Sequence, residues 1–159
     1  MKPTDYLALS IATCGVGYLP FAPGTWGSAV GVGLFLLLVR ATPPNALVAV
    51  VLVAIVAVTF AGIWAATRTE QLSGRKDPGK VVVDEVAGQF IALFPLTLFP
   101  RWSTVAVIVS FILFRFFDIV KPYPANRLQD LNGGAGVMFD DLVAGVYAAV
   151  IVSILLKIF

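Results

Sequence analysis

The distribution of charged residues constrains this chain most strongly, because charges are absent from long stretches. No Asp, Glu, Lys or Arg occurs between Arg40 and Arg68, and residues 45–66 within this gap are rich in Val and Ala. About 20 apolar residues are enough for a helix to cross a bilayer. The sequence therefore predicts a membrane-spanning helix in this segment.

Three further charge-free segments are shorter, and they cover residues 86–99, 103–114 and 142–156. As helices they would each measure roughly 20 Å, whereas the hydrocarbon core of a bilayer is about 30 Å thick. We therefore expect these helices to continue into the charged residues that flank them. Those charges then lie at the membrane interface.

The N-terminal region is uncharged over residues 6–39, but Pro20 and Pro23 interrupt it. Proline cannot continue the interior of a helix without losing a hydrogen bond. We therefore predict an interfacial or re-entrant helix over residues 4–14, then a turn, then a second helix over residues 26–39.

The composition supports the same fold class. Hydrophobic residues make up 59% of the 159-residue chain and charged residues only 13%, against about 25% charged residues in soluble domains. So few charges cannot cover the surface of a soluble fold, which excludes a water-soluble enzyme, a disordered chain and a nucleic-acid binder. We predict one all-α integral-membrane domain over residues 1–159. It is a polytopic bundle of four to five helices with an interfacial or re-entrant N-terminal segment.

The chain contains one cysteine, Cys14, and no histidine. These counts exclude a disulfide within the chain, a cysteine-clustered zinc site, a Ser-His-Asp triad and a histidine base. Any catalysis must therefore use carboxylates, hydroxyls, Lys or Arg, and we expect a metal to assist them.

Charges are distributed unequally between the two sides of such a bundle. If the loop at residues 67–83 is cytoplasmic, as its cations indicate under the positive-inside rule, all nine carboxylates lie on the cytoplasmic side. Eight of the eleven cations join them, and the far side holds Arg40, Arg101 and Lys157. Acids needed for solubility alone would not avoid one face, so we expect the functional site at the cytoplasmic face.

Polar residues form three clusters at helix ends on this face. The first contains two glycines and two hydroxyl residues, Gly24, Thr25, Gly27 and Ser28. Glycines let a backbone approach a ligand, and the N–H groups at a helix start favour an anion. The same residues could also form an ordinary helix start capped by Thr.

The second cluster is the pair Asp84 and Glu85, which opens an apolar helix. Acids are favourable at the positive end of a helix dipole, but acids this close to a membrane are costly and indicate function. The third cluster is the densest and spans residues 115–141, with charged members that include Arg115, Asp118, Lys121, Arg127, Asp140 and Asp141. Its members could also be simple ion pairs, positive-inside residues and a helix cap.

Two of the predicted helix starts share a pattern in which a glycine follows four residues after an acid. The pairs are Asp84 with Gly88 and Asp141 with Gly145. Glycines permit close helix packing in membranes, which would bring together the four acids Asp84, Glu85, Asp140 and Asp141. Because four carboxylates would repel one another, we predict a bound divalent metal. An all-oxygen site that also binds a substrate phosphate suits Mg²⁺, and at the edge of a bilayer that substrate would be a phospholipid headgroup.

Four motifs occur in order over nearly the whole chain. They lie within residues 12–28, 83–88, 114–124 and 133–145 and include PGTWGS, VDEVAG, FRFFDIVKPYP and GGAGVMFDDLVAG. Together they resemble the phosphatidylglycerophosphatase A family, with no departure at the acidic, basic or glycine positions. The resemblance implies a Mg²⁺-dependent phosphatase of the bacterial inner membrane. Such an enzyme removes the terminal phosphate of phosphatidylglycerol phosphate during phospholipid biosynthesis.

We predict that Mg²⁺ is held by Asp84, Glu85, Asp140 and Asp141. Asp118 would be a further ligand or the base for an attacking water, so the catalytic residues are Asp84, Glu85, Asp118 and Asp141. The phosphate would be bound by Gly24, Thr25, Gly27, Ser28, Arg115, Lys121 and Arg127. Attack by water and a phosphoaspartate intermediate stay open as alternatives, as does the oligomeric state.

Two other functional classes fit less well. The CDP-alcohol phosphatidyltransferase pattern is matched in part by Asp118, Arg127, Gly136 and Asp140. However, Lys121 and Ala144 stand where that pattern has two of its four metal-binding acids. A small transporter or channel would need polar residues along its spans, and the spans here contain few.

Overall fold

The computed structural model describes residues 1–99, 102–128 and 130–158 of the chain. The regular elements within these ranges are helices, and two of them are short 3₁₀ helices at Val16–Tyr18 and Phe94–Leu98. The α-helices are α1 (Pro3–Thr13), α2 (Pro23–Ala41), α3 (Pro44–Ser73), α4 (Val83–Leu93), α5 (Thr104–Val120), α6 (Ala125–Leu128) and α7 (Gly134–Ile158).

Three of these helices, α2, α3 and α7, are long and apolar enough to cross a membrane. The longest, α3, covers the predicted segment 45–66 and continues to Ser73. Only 11% of its most apolar stretch is buried in the protein, and large side chains such as Leu37, Phe60 and Val150 are exposed. A soluble protein of this size would bury much of this apolar surface. The predicted all-α membrane bundle is confirmed.

The short helix α4 lies at the centre of the bundle and packs against α2, α3, α5 and α7. All of its residues except Glu85 and Ile91 are buried. It measures about 16 Å, and the chain then continues as a 3₁₀ helix because Pro95 has no N–H to donate. The helix predicted over residues 86–99 is thus shorter than expected and belongs to the core.

Both α5 and α7 extend beyond the charge-free segments that predicted them, as expected. The C-terminal part of α5 carries Arg115, and α7 begins at Gly134 rather than at residue 142. Asp140 and Asp141 consequently lie in the second turn of α7, with their side chains buried. The interpretation of these two acids as a helix cap was therefore wrong.

The N-terminal helix α1 agrees with the prediction over residues 4–14. It is attached to α3 by Asp5, whose carboxylate accepts a hydrogen bond from Arg68 at 2.7 Å. At its other end, the carbonyl of Ala12 accepts a hydrogen bond from the N–H of Val82 at 2.8 Å. These contacts hold the segment that leads into α4.

Two of the cations assigned to the far side lie at helix ends. Arg40 is in the last turn of α2 and Lys157 is in the last turn of α7. Because the acids lie near the opposite ends of the bundle, these cations are remote from them. Arg101 lies outside the described residues.

Glycines hold α4 and α7 in very close contact. A Cβ atom added at Gly145 would lie 2.4 Å from the carbonyl oxygen of Gly88, and one at Gly88 would lie 2.6 Å from that of Asp141. Real Cβ contacts are essentially never this short. The close packing predicted from the repeated acid-and-glycine pattern is confirmed, and it fixes the distance between the acids of the two helices.

Candidate functional site

Three of the four predicted metal-ligating acids converge. Asp84 and Glu85 lie in the first turn of α4, and Asp141 faces them from α7. Each residue offers one carboxylate oxygen, and these oxygens lie within 4.8 Å of one another. Asp84 is 8% exposed and Asp141 only 2%. We call Asp84, Glu85 and Asp141 the carboxylate cluster.

The carboxylate cluster has unsatisfied oxygens. Within the described residues, no hydrogen bond reaches Asp84 Oδ1, Glu85 Oε2 or Asp141 Oδ2. Burying several carboxylates together is strongly unfavourable unless a cation compensates their charge. Mg²⁺ prefers carboxylate oxygens and keeps further positions for water or phosphate. The unpartnered oxygens and their spacing therefore fit a divalent cation.

Arg115 of α5 lies beside the carboxylate cluster. Its Nη1 is 2.5 Å from Asp118 Oδ2 and 3.9 Å from Glu85 Oε1. Arg115 and Asp118 thus form an ion pair along α5, which is the alternative that the sequence analysis left open for members of this cluster. The Nε of Arg115 is buried without a hydrogen-bond partner among the described residues. The guanidinium thus retains a donor for an additional acceptor such as a phosphate oxygen.

The fourth predicted metal ligand, Asp140, is placed differently. Its carboxylate pairs with the ammonium of Lys121, which directly follows α5. Burial by itself lowers the pKa of Lys121, but the hydrogen bond and charge of Asp140 outweigh this and raise the pKa above its usual value. Lys121 is therefore kept charged. Because successive residues point about 100° apart on a helix, Asp140 faces Lys121 while Asp141 faces α4.

The glycine-rich start of α2 packs against α4. A Cβ at Gly24 would lie 2.1 Å from Glu85 Oε1, and one at Gly27 would lie 2.8 Å from the Val82 carbonyl oxygen. Ser28 is fully buried and donates its hydroxyl proton to the Gly24 carbonyl at 2.9 Å. Thr25 is half-buried at the helix start. The segment thus reaches the carboxylate cluster, with Gly27 and Ser28 engaged in helix contacts.

The last of the predicted phosphate-binding residues is Arg127 of α6. It is exposed in α6, and its guanidinium lies over the ring of Tyr123 at 5.5 Å from the centroid. The carbonyl of Tyr123 accepts a hydrogen bond from Tyr147 Oη at 2.7 Å. This bond ties the loop after Lys121 to α7.

Two residues at or near the site were missed by the sequence analysis. Gln89 of α4 is fully buried, and neither atom of its amide has a hydrogen-bond partner among the described residues. The sequence signal that could have identified Gln89 is its polar amide within an otherwise apolar helix, four residues after Glu85. Thr67 of α3 accepts a hydrogen bond from the N–H of Gly134 at 2.8 Å and so caps α7 from another helix. No local pattern links residues so far apart in sequence.

Two cavities lie outside the carboxylate cluster. One of about 550 Å³ is in the loop before α4 and is lined by residues that include Arg75, Lys76 and Lys80. Another of about 600 Å³ lies between the start of α5 and the end of α7 and is lined by residues such as Trp102 and Leu156. The second cavity is at the end of the bundle remote from the acids.

Residues 10–156 match the protein family described as phosphatidylglycerophosphatase A. The chain is 41% identical to a putative phosphatidylinositol-3-phosphatase of Bacteroides thetaiotaomicron, over 97% of this chain and 96% of the relative. It is 34% identical to phosphatidylglycerophosphatase A of Haemophilus influenzae, over 96% and 88% of the two chains. Identity to the Escherichia coli protein of the same name is 35%, over 85% and 74%. No solved structure matches the chain.

Proposed function

The chain belongs to the phosphatidylglycerophosphatase A family and is a phosphatase, and from this premise we propose that its substrate is phosphatidylglycerol phosphate. Hydrolysis of the terminal phosphomonoester gives phosphatidylglycerol and inorganic phosphate. The names of two relatives support this substrate. The observation that carries the proposal is the carboxylate cluster with Arg115 beside it, since it combines a cation site with a phosphate-binding group.

We assign Mg²⁺ binding to Asp84, Glu85 and Asp141, whose unpartnered oxygens are its preferred ligands. Bound there, Mg²⁺ would supply the positive charge that polarises the phosphoryl oxygens. Asp140 acts indirectly in this scheme, because it holds the charged Lys121 at the edge of the site.

Three residues of the chain bind the phosphoryl group or transfer the proton. Arg115 donates hydrogen bonds to the phosphoryl group, and Lys121 adds a second positive charge on the same side. Asp118, which is beside Arg115, accepts a proton from the attacking water. The water oxygen forms the new bond to phosphorus, the bond from phosphorus to the headgroup oxygen breaks, and that oxygen takes up the proton that Asp118 accepted.

We place this site at the cytoplasmic face of the bacterial inner membrane, in a chain that crosses the membrane several times. Among the described residues, three helices long and apolar enough to cross a membrane support this arrangement. The concentration of cations and acids at the ends of the helices near the carboxylate cluster also supports it.

A second substrate deserves a direct test, because one relative is named a putative phosphatidylinositol-3-phosphatase. That lipid, like phosphatidylglycerol phosphate, carries a phosphomonoester on a polyol headgroup. The same carboxylate cluster and Arg115 would serve both substrates, and the difference would lie in the groups that contact the polyol.

The test uses the purified protein in detergent micelles. It is incubated with phosphatidylglycerol phosphate, with phosphatidylinositol 3-phosphate, or with CDP-diacylglycerol plus glycerol phosphate, and free phosphate and CMP are measured. We expect phosphate release from phosphatidylglycerol phosphate and no CMP, with Asp84→Asn as the inactive control. CMP formation would indicate a phosphatidyltransferase, and phosphate release from the inositol lipid alone would replace the proposed substrate.

A further inference from the structure

The amide of Gln89 is the most unusual buried group near the site. Its side chain is fully buried in α4, and both Oε1 and Nε2 lack a hydrogen-bond partner among the described residues. A carboxamide can donate two hydrogen bonds and accept two. Leaving such a group unpaired in an apolar interior is costly, so a partner that completes it in the working enzyme is expected.

Gln89 lies close in the fold to the carboxylate cluster. Gln89 lies one turn after Glu85 on the same face of α4. Both residues pack against the glycine face of α2, where Gly24 meets Glu85 Oε1 and Gly31 meets the Cβ of Gln89. Helical side chains lean toward the N-terminus of their helix, which for Gln89 is the direction of the turn that carries Glu85.

This position lies on the apolar side of the carboxylate cluster. A lipid whose phosphate is held at the cluster has its acyl chains in the membrane, so the headgroup linker must run toward the apolar interior. The four residues from Glu85 to Gln89 rise about 6 Å in that direction, which is the scale of the linker between a phosphate and the next hydroxyl-bearing carbons. Gln89 therefore lies at the depth of the linker rather than at that of the reacting phosphate.

The chemistry of the amide selects the kind of group that would pair with it. A phosphate oxygen only accepts hydrogen bonds, and a metal cation uses only the carbonyl oxygen. A hydroxyl both donates and accepts, which matches the two unpartnered atoms of Gln89. Before the substrate enters, a water molecule can form hydrogen bonds with the Gln89 amide. A substrate hydroxyl would displace that water and form the same hydrogen bonds.

We propose that Gln89 is a specificity-determining residue that binds a free hydroxyl of the polyol headgroup, next to the phosphate that is removed. The inference rests on the proposed function and narrows it to lipids whose headgroup keeps a hydroxyl near the phosphomonoester. Since Gln89 is fully covered, the side chains along the seam between α2 and α4 must move when the headgroup enters.

The experiment compares two substrates that differ only in this hydroxyl. One is short-chain phosphatidylglycerol phosphate, and the other is its analogue with hydrogen in place of the 2-hydroxyl of the headgroup glycerol. Wild type, Gln89→Met and Ser110→Ala are assayed on both. Ser110 is a matched control because it is also fully buried, but its hydroxyl donates to the Ala106 carbonyl within its own helix.

We expect Gln89→Met to lower kcat/KM for the hydroxyl-bearing lipid by about 10- to 100-fold and to leave the rate on the analogue unchanged. Ser110→Ala should change neither rate by more than about threefold. Because the amide has no partner to lose among the described residues, Gln89→Met should unfold at the same temperature as wild type or a higher one.

Three results would overturn the assignment of Gln89: an equal loss on both substrates, no loss on either, or a Gln89→Met protein that does not fold. The last result would mean that the amide has a structural partner. If wild type released phosphate from neither lipid, the proposed function itself would be wrong. The two failures are therefore distinguishable.

Discussion

The contact between α4 and α7 predicts the effect of a single added methyl group. In Gly145→Ala the new Cβ would lie 2.4 Å from the carbonyl oxygen of Gly88, where ordinary contacts begin at 3.4 Å. Neither partner is a flexible side chain, so the helices must separate by about 1 Å. Asp141 is on α7 one turn before residue 145, and its carboxylate moves away from Asp84 with the helix.

The size of the loss follows from this displacement. A misplacement of about 1 Å at a reacting centre costs on the order of 100-fold in rate, and overpacking a core costs about 1–3 kcal/mol in the free energy of unfolding. We therefore expect Gly145→Ala to lose about 100-fold in phosphate release and to unfold at a lower temperature. Gly88→Ala crowds the same pair of helices from α4, where the new Cβ would lie 2.4 Å from the Phe114 ring and 2.6 Å from the Asp141 carbonyl oxygen, and it should behave similarly.

The chain offers a matched control in Gly33→Ala. Gly33 is exposed in α2, and a Cβ there meets nothing within 4 Å. This variant should keep full activity and equal or slightly higher stability, because alanine is the better helix former. Phosphate release and thermal unfolding in detergent are measured for all three variants. Full activity in folded Gly145→Ala would refute the reasoning that this contact assembles the carboxylate cluster.

Three further predictions concern metal, acids and topology. EDTA should abolish phosphate release and added Mg²⁺ should restore it, and full activity in chelator would contradict the metal assignment. Asp84→Asn and Asp141→Asn should each lower kcat by about 100-fold or more, whereas the exposed loop variant Asp77→Asn should keep a kcat within a few-fold of wild type. If both cluster variants kept nearly full activity, Asp84 and Asp141 would have no role in the chemistry. A cysteine at Gly74 should react with an impermeant thiol reagent only from the cytoplasmic side and one at Pro43 only from the outside, in a Cys14→Ala background; the reverse pattern would invert the proposed topology.

Much of the fold could be predicted from the sequence, because a membrane imposes strong local constraints. A charge-free segment long enough to cross a bilayer has few alternatives to a helix, and α3 lies where that argument places it. Prolines predicted the break before α2 for a similarly local reason, although the helix begins at Pro23 and not at residue 26, because proline is tolerated in the first turn of a helix. The repeated spacing of Asp84 with Gly88 and of Asp141 with Gly145 predicted a close helix pair. Small residues are what such a contact requires, and Gly88 and Gly145 indeed meet.

The boundaries and the core depended on tertiary contacts. The length of the charge-free segment 86–99 did not show that α4 is a short buried helix, because the same apolar residues could face either lipid or neighbouring helices. The start of α7 at Gly134 is fixed by the hydroxyl of Thr67 on α3. Such a cap depends on how two helices that are distant in sequence pack together, so no sequence pattern near residue 134 predicts it.

The residue types of the site follow from the sequence by itself, since a chain without histidine has carboxylates, hydroxyls, Lys and Arg as its main groups for chemistry. Only the tertiary structure decided their partners. Asp140 and Asp141 are neighbours with the same side chain, yet one pairs with Lys121 and the other joins Asp84. Adjacent helical residues point in different directions, and the rotation of α7 that selects between them is set by its glycine contact with α4. That rotation depends on the contacts between packed helices, so it cannot be predicted from any single segment of the sequence.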